Sequence, residues 1–289
     1  MSVAQLTAGR ARPALVRRVA GVGVVTAVAV AICALLTAVA ILAPLLAPHD
    51  PNAVDPLHAF APASGAHPLG TDDTGRDLLS RLIAGARPSL AGPALVIVAS
   101  TTVGAFLAIA AAWRGGWLDA TIARLLEVLF AFPGLILAVV AAAVFGAGFV
   151  APVVALSIAY VPIVARVVRT AALKERALPY VAALQVQGAS GWSICVRHLL
   201  PNLLPLIVVQ AAIGFGYAML DLAAISFLGL GIQPPSPDWG VMIAGGQPAI
   251  LDGNPQQSLY AALTVVVAVV SFNLVGERLA RRFRIEEQG

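Results

Sequence analysis

The chain has 289 residues, of which 60% are hydrophobic and only 11% charged, and its net charge is +4. A water-soluble domain of this length carries far more polar surface over its core, so a soluble globular enzyme is excluded and an all-α integral membrane protein is expected. The basic balance is no sign of nucleic acid, because in a membrane protein an arginine excess records orientation, and membrane lipid is the expected surrounding.

Apolar runs long enough to cross a bilayer fall near 20–47, 89–112, 125–147, 149–168, 203–226 and 258–276. The first follows Arg17 and Arg18 and contains Cys33, which reads as a small core thiol. That run is too long for a signal-peptide core, so residues 1–18 are expected to be a tail and 19–47 an uncleaved first transmembrane helix. Residues 48–88 form a connecting segment rich in proline and aspartate. Within it, "TDDTGRDLLSRLIAGARPSL" (71–90) opens with capping residues and sets Leu78, Leu79, Leu82 and Ile83 on one face. This predicts a surface helix, with Asp77 and Arg81 at pairing distance i, i+4.

Residues 89–276 hold the other five spans, and 277–289 form a second tail. With six spans both termini share one side. All of the 18 Lys and Arg residues except Arg76, Arg81 and Arg87 fall on that side. The positive-inside rule therefore predicts cytoplasmic termini, a cytoplasmic stretch 169–202 and an extracytoplasmic segment 48–88. The second outward loop, "GIQPPSPDWGVMIAGGQPAILDGNPQQ" (231–257), is too rich in proline and glycine for one regular element.

Catalytic motifs are missing. The single lysine, Lys174, lies in "TAALKERA", so no nucleotide-binding G-x-x-x-x-G-K-[ST] loop exists. His49, His58, His67 and His198 have no zinc-ligand spacing, and Cys33 and Cys195 no disulfide or metal spacing. "GASG" (188–191) is not a nucleophile elbow. The chain is expected to have no catalytic residues, no metal ligands and no cofactor of its own. A conduit or an assembly partner remains.

Polar groups inside spans are costly and mark conduits. Asp221, in "YAMLDLAAISF", stands out, with Tyr217, Gln210 and Asn273 milder. Asp221 reads either as lining a cavity or as an interhelical hydrogen-bond partner. Glu127 reads as an interfacial partner of Arg124, and Gly214 and Gly216 as close helix contacts.

The stretch 169–202 is too long for a turn. "ALPYVAALQVQ" (177–187) predicts a short helix beginning near Pro179 and ended by Gly188. Ser190 is placed to cap a second helix through "GWSICVRHLL", with the fifth span restarting at Pro201. The product is a helix–turn–helix whose apolar residues lie outside the bilayer and call for a covering partner.

"YVAALQVQGASGWSICVRHLLPN" (180–202) resembles the cytoplasmic "EAA" loop of permease subunits of bacterial ABC importers, with Gly188 and Pro201 where that loop has its glycine and proline. "HPLGTDDTGRDLLSRLIAGARPSL" (67–90), "SFLGLGIQPPSPDWGVMI" (226–243) and "FNLVGERL" (272–279) are similar to blocks of the dipeptide/oligopeptide/nickel-type permeases. The resemblance covers nearly the whole chain beyond its N-terminal tail. Two departures stand out. Ala182, Ala183, Leu184 and Gln185 occupy the positions of Glu-Ala-Ala and a basic residue, and Leu222 stands where the family often has an acid.

The resemblance implies a type I importer permease of MetI-like architecture in a bacterial plasma membrane. It would form half of a pathway for di- or oligopeptides, with nickel or a metal chelate as the alternative. Its implied partners are a second homologous permease in a heterodimer, an extracytoplasmic solute-binding protein, and two ATPase subunits or domains carrying ATP and Mg. Residues Tyr180, Val181, Ala182, Ala183, Leu184, Gln185, Gly188, Ala189, Ser190 and Pro201 would make up the ATPase-coupling loop. Gln210, Tyr217 and Asp221 are the candidates for the pathway. A self-sufficient secondary transporter and a non-transporting scaffold are the rival readings. They would have to account for the lack of internal repeats and for the loop's spacing, respectively.

Overall fold

The structure is a computed structural model that describes residues 12–286. The first eleven residues, with Arg10 of the expected N-terminal tail, and residues 287–289 of the expected C-terminal tail lie outside the described residues.

Long helices dominate because apolar runs in lipid must satisfy every backbone polar group internally. In chain order they are α1 (Arg12–Leu46), α2 (Leu78–Arg114), α3 (Gly116–Phe130), α4 (Gly134–Phe145), α5 (Val150–Arg176), α6 (Pro179–Val186), α7 (Gly191–Ile194), α8 (Leu200–Phe227), α9 (Trp239–Gly245), α10 (Gln247–Leu251) and α11 (Gln256–Glu286). A π-helical turn, Cys195–Leu199, joins α7 to α8. Among the described residues there is no strand, only an isolated bridge between Thr71 and Asp77.

Among the described residues, five helical stretches are long and apolar enough to cross a membrane: Gly23–Leu46, Leu78–Arg114, Val150–Arg176, Gly191–Phe227 and Gln256–Arg282. The sixth crossing is made by α3 and α4, bent by 75° at their junction. The start of α3 lies beside the far end of α5, where Arg169 donates to both carboxylate oxygens of Asp119 at 2.6 and 2.5 Å. The turn after α4 lies beside the opposite end of α8, where the Gly148 amide bonds to Leu230 O at 3.3 Å. The pair therefore runs from one end of the bundle to the other. Below, the end that carries 47–77 and 231–255 is the cap end, and the end that carries 177–199 is the hairpin end.

Several expectations change. The continuous third span over 125–147 is instead broken at Ala131–Pro133, where proline has no amide to continue the α3 ladder. The expected surface helix at 71–90 is the beginning of α2, which passes through Pro88 and Pro93 without a stop. Transmembrane helices tolerate proline because neighbouring groups take up the freed carbonyls. Asp77 does not pair with Arg81; its side chain caps α2 by accepting from the Ser80 amide at 2.8 Å.

The most extensive helix pair is α2 against α5. Ala105, Ala108, Ala111 and Ala112 pack on Val161, Val164, Ala165 and Val168. At Gly104 an added Cβ would sit 3.1 Å from Val161 O, so glycine lets the two backbones approach. Gly216 and Gly276 do the same for α8 and α11, with Asn273 and Ile213 as the close neighbours. Cys33 is half-buried rather than a core thiol.

Candidate functional site

At the hairpin end, α6 and α7 pack back to back. Pro179 begins α6, where its missing amide costs nothing. Gly188 ends it in the left-handed region, with φ +80°. The Gly188 amide bonds to Gln185 O and the Ala189 amide to Leu184 O, each at 3.0 Å, which is the Schellman arrangement. Ser190 then caps α7 by accepting from the Ser193 amide at 3.2 Å. Val181, Ile194 and Leu199 are fully buried in a small core, with Trp113, Tyr180, Leu184 and Ala189 around it.

The hairpin is tied to the bundle at its base. Tyr180 donates its hydroxyl to Glu175 Oε1 at 2.7 Å, and Asn202 Nδ2 donates to the same oxygen at 2.7 Å. Burial, reinforced by the bond to the Glu175 carboxylate, pushes the Tyr180 phenol up to about 12, so it remains a donor through the neutral range. Arg176 Nη1 donates to Ala112 O at 2.6 Å, and its guanidinium lies 5.6 Å from the centre of the Trp113 ring. Trp113 also closes against Gly191, where any side chain would collide with the indole.

The opposite face is open. Ala182, Ala183, Gln185 and Gly188 are exposed, and Val186 and Trp192 are 89% and 72% exposed. The expected helix–turn–helix is therefore present, with one correction. Pro201 marks no restart, because α7, the π turn and α8 form one unbroken helical stretch from 191 to 227. The Leu200 amide bonds to Cys195 O, five residues back. The widened turn falls just before the proline and takes up the disturbance a missing amide would cause.

Within the bundle, Gln210, Gly214, Tyr217 and Asp221 follow one another at helical spacing on α8 and share one face. That face lines a cavity of about 490 Å³. Tyr160 and Ile163 of α5 and Phe130, Phe132 and Pro133 at the α3–α4 break form other walls. Tyr160 donates its hydroxyl to Asp221 Oδ2 at 2.9 Å. Asp221 thus both lines a cavity and serves as an interhelical hydrogen-bond acceptor, the two readings its sequence left open. Arg124 and Glu127 form no ion pair among the described residues. Arg166 instead lies over the Phe130 ring at 4.4 Å.

The cap end is dense and polar. Asp72 and Arg81 are both 2% exposed. Arg81 Nη1 donates to Pro51 O at 2.9 Å and Pro235 O at 3.4 Å, while its Nε lies 3.7 Å from Asp72 Oδ2. Asp72 Oδ1 accepts from the amides of Thr74 and Arg76, each at 2.9 Å. Asp238 caps α9 and accepts from Ser89 Oγ at 2.6 Å, and Trp239 Nε1 donates to Leu82 O at 3.0 Å. Against the expectation drawn from spacing, two histidines converge here. His49 and His67 both face Asp77, because the loop 48–77 folds back over the start of α2.

Several of these residues escaped sequence reasoning. Glu175, Asn202 and Trp113 anchor the hairpin, Arg176 ties the end of α5 to α2 beneath it, and Tyr160 holds Asp221, through pairings up to 64 residues apart. A tyrosine in an apolar span and a tryptophan at a span end were the available signals.

Residues 100–285 match the family described as binding-protein-dependent transport system inner membrane component. The chain is 37% identical over 246 residues to the glutathione transport system permease protein GsiD of Pectobacterium atrosepticum, covering 85% of this chain and 81% of that protein. It is 36% identical over 255 residues to the probable D,D-dipeptide transport system permease protein DdpC of Escherichia coli K12, covering 87% and 84%. With the dipeptide transport system permease protein DppC of Alkalihalophilus pseudofirmus the identity is 35% over 241 residues, covering 83% and 79%. The six-crossing bundle, the exposed hairpin and these relationships together make the chain a member of the binding-protein-dependent transport system inner membrane component family, a multi-pass ABC importer permease of type I, MetI-like architecture.

Proposed function

We propose that this permease carries di- or oligopeptides, forming half of the translocation pathway beside a second homologous permease. An extracytoplasmic binding protein delivers the solute to the cap end. Two ATPase subunits or domains, which hold the ATP and Mg, dock on the hairpin end. The termini and hairpin then face the cytoplasm, in keeping with the arginine distribution. The observation that carries this reading is the hairpin itself. It is anchored to the ends of α2, α5 and α8, yet presents Ala182, Ala183, Val186 and Trp192 to water, and apolar surface held this way outside lipid requires a partner.

The partner surface lacks the charges typical of the family's loop, so apolar contact and shape supply the docking. The cavity bounded by Gln210, Tyr217 and Asp221 supplies the pathway wall, with the pairing of Asp221 to Tyr160 keeping a carboxyl tolerable at that depth. The peptide assignment rests on the permeases named above, which serve glutathione, D,D-dipeptide and dipeptide transport.

The test is reconstitution. The chain, its partner permease, the ATPases and the binding protein are placed in proteoliposomes and challenged with labelled dipeptides. ATP-dependent uptake is expected only with the full set. Uptake by this chain alone, without ATPases, would overturn the importer assignment. Ni²⁺ uptake without peptide uptake would overturn the substrate.

A further inference from the structure

We propose that His49, His67 and Asp77 bind a divalent first-row transition metal ion at the cap end. One donor atom from each lies within 4.8 Å of the other two. His67 Nδ1 is 3.0 Å from Asp77 Oδ1, His49 Nδ1 is 3.9 Å from Asp77 Oδ2, and the imidazole rings are 4.9 Å apart. A tetrahedral ion with bonds of 2.0–2.1 Å sets its ligand atoms about 3.3 Å apart, so small side-chain rotations close this set on an ion. Two imidazoles and one carboxylate suit Zn²⁺, Ni²⁺ or Co²⁺ and leave a fourth position for water.

The surroundings are built to hold these groups in place. Asp77 is 2% exposed, and among the described residues both of its ion-pair contacts are with these two histidines. The Ser80 hydroxyl donates to Asp77 Oδ2 at 2.6 Å and accepts the backbone amide of His49 at 3.0 Å, orienting the carboxylate and one histidine together. The His67 amide donates to Ser64 Oγ at 3.1 Å, which fixes the second. Side-chain exposure rises from 1% at Asp77 through 23% at His67 to 43% at His49, so an ion has an open path from water. An ion held here ties three points of the chain, at 49, 67 and 77, and so clips loop 48–77 to the start of α2. This role is independent of what the permease carries.

The experiment uses the full-length chain with a histidine-free affinity tag, stripped with chelator and placed in lipid nanodiscs. Zn²⁺ binding is measured by calorimetry, and Co²⁺ binding by its ligand-field absorption. One ion per chain is expected, with a rise in Tm on metal addition. His49→Ala leaves the Asp77 cap on Ser80 intact, so its metal-free Tm should match the parent while its affinity falls by more than about tenfold. His67→Gln should show the same loss. Saturable binding of equal strength in the parent and both variants would overturn the site, as would its absence from a parent chain whose Tm shows it folded.

Discussion

The two ends of this bundle solve opposite problems. At the cap end, Asp72, Asp77, Arg81, Asp238 and Trp239 are each 5% exposed or less, and their side chains bond within the chain, although the buried Arg81 Nε has no hydrogen-bond partner. At the hairpin end, polar bonds gather at the base, around Glu175, while the outward face leaves Ala182, Ala183, Val186 and Trp192 in water beside Gln185. A surface whose polar groups are mostly paired within the chain holds its own shape. One that is rigidly held but leaves apolar side chains in water calls for a covering partner, as proposed above.

The comparison breaks most sharply at Arg81. Replacing it with alanine removes the guanidinium that joins Pro51, Pro235 and Asp72, and loss of one member of a buried pair costs about 3–5 kcal/mol. Arg81→Ala should lower Tm in detergent and expose 48–77 to protease, with the hairpin end unaffected. Trp192→Ala is the mirror experiment. Its side chain is mostly in water, so stability should hold, while affinity for the ATPases falls by about 2 kcal/mol, roughly thirtyfold, in a pull-down titration.

Gly188 separates conformation from contact. Nothing lies within 4 Å of an added Cβ, so the cost of Gly188→Val is backbone strain at φ +80°, about 1–2 kcal/mol. Membrane insertion should survive, with ATP hydrolysis losing its coupling to uptake. Gly188→Asn, which tolerates this backbone, should retain both activities. Tyr180→Phe is the mildest change. It removes one hydrogen bond to Glu175, about 1 kcal/mol, and should loosen the hairpin base as seen by faster amide exchange in α6.

How much of this was legible beforehand depends on range. Pro179, Gly188 and Ser190 act on their own neighbours, so both ends of α6 and the start of α7 followed from local chemistry. The five long crossings followed from length and apolarity. What stayed hidden depends on partners. Pro88 and Pro93 looked like punctuation because a single chain cannot show what stabilises a helix around them. Pro133, by contrast, does break its span, and the broken corner lines the cavity. The shared face of Gln210, Tyr217 and Asp221 was implicit in helical spacing, but Tyr160 opposite it was not. His49, His67 and Asp77 are separated by 18 and 10 residues, a spacing that resembles no metal motif until the loop folds back.

Between Gly191 and Asp221 the chain makes no joint: α7, the π turn and α8 run on as a single rod. Thirty residues of helix span about 45 Å. Under the docking role proposed for the hairpin, this rod works as a push-rod without a hinge. A tug at Trp192 does not dissipate in a flexible linker but tilts or turns the whole shaft, and with it the wall of the cavity.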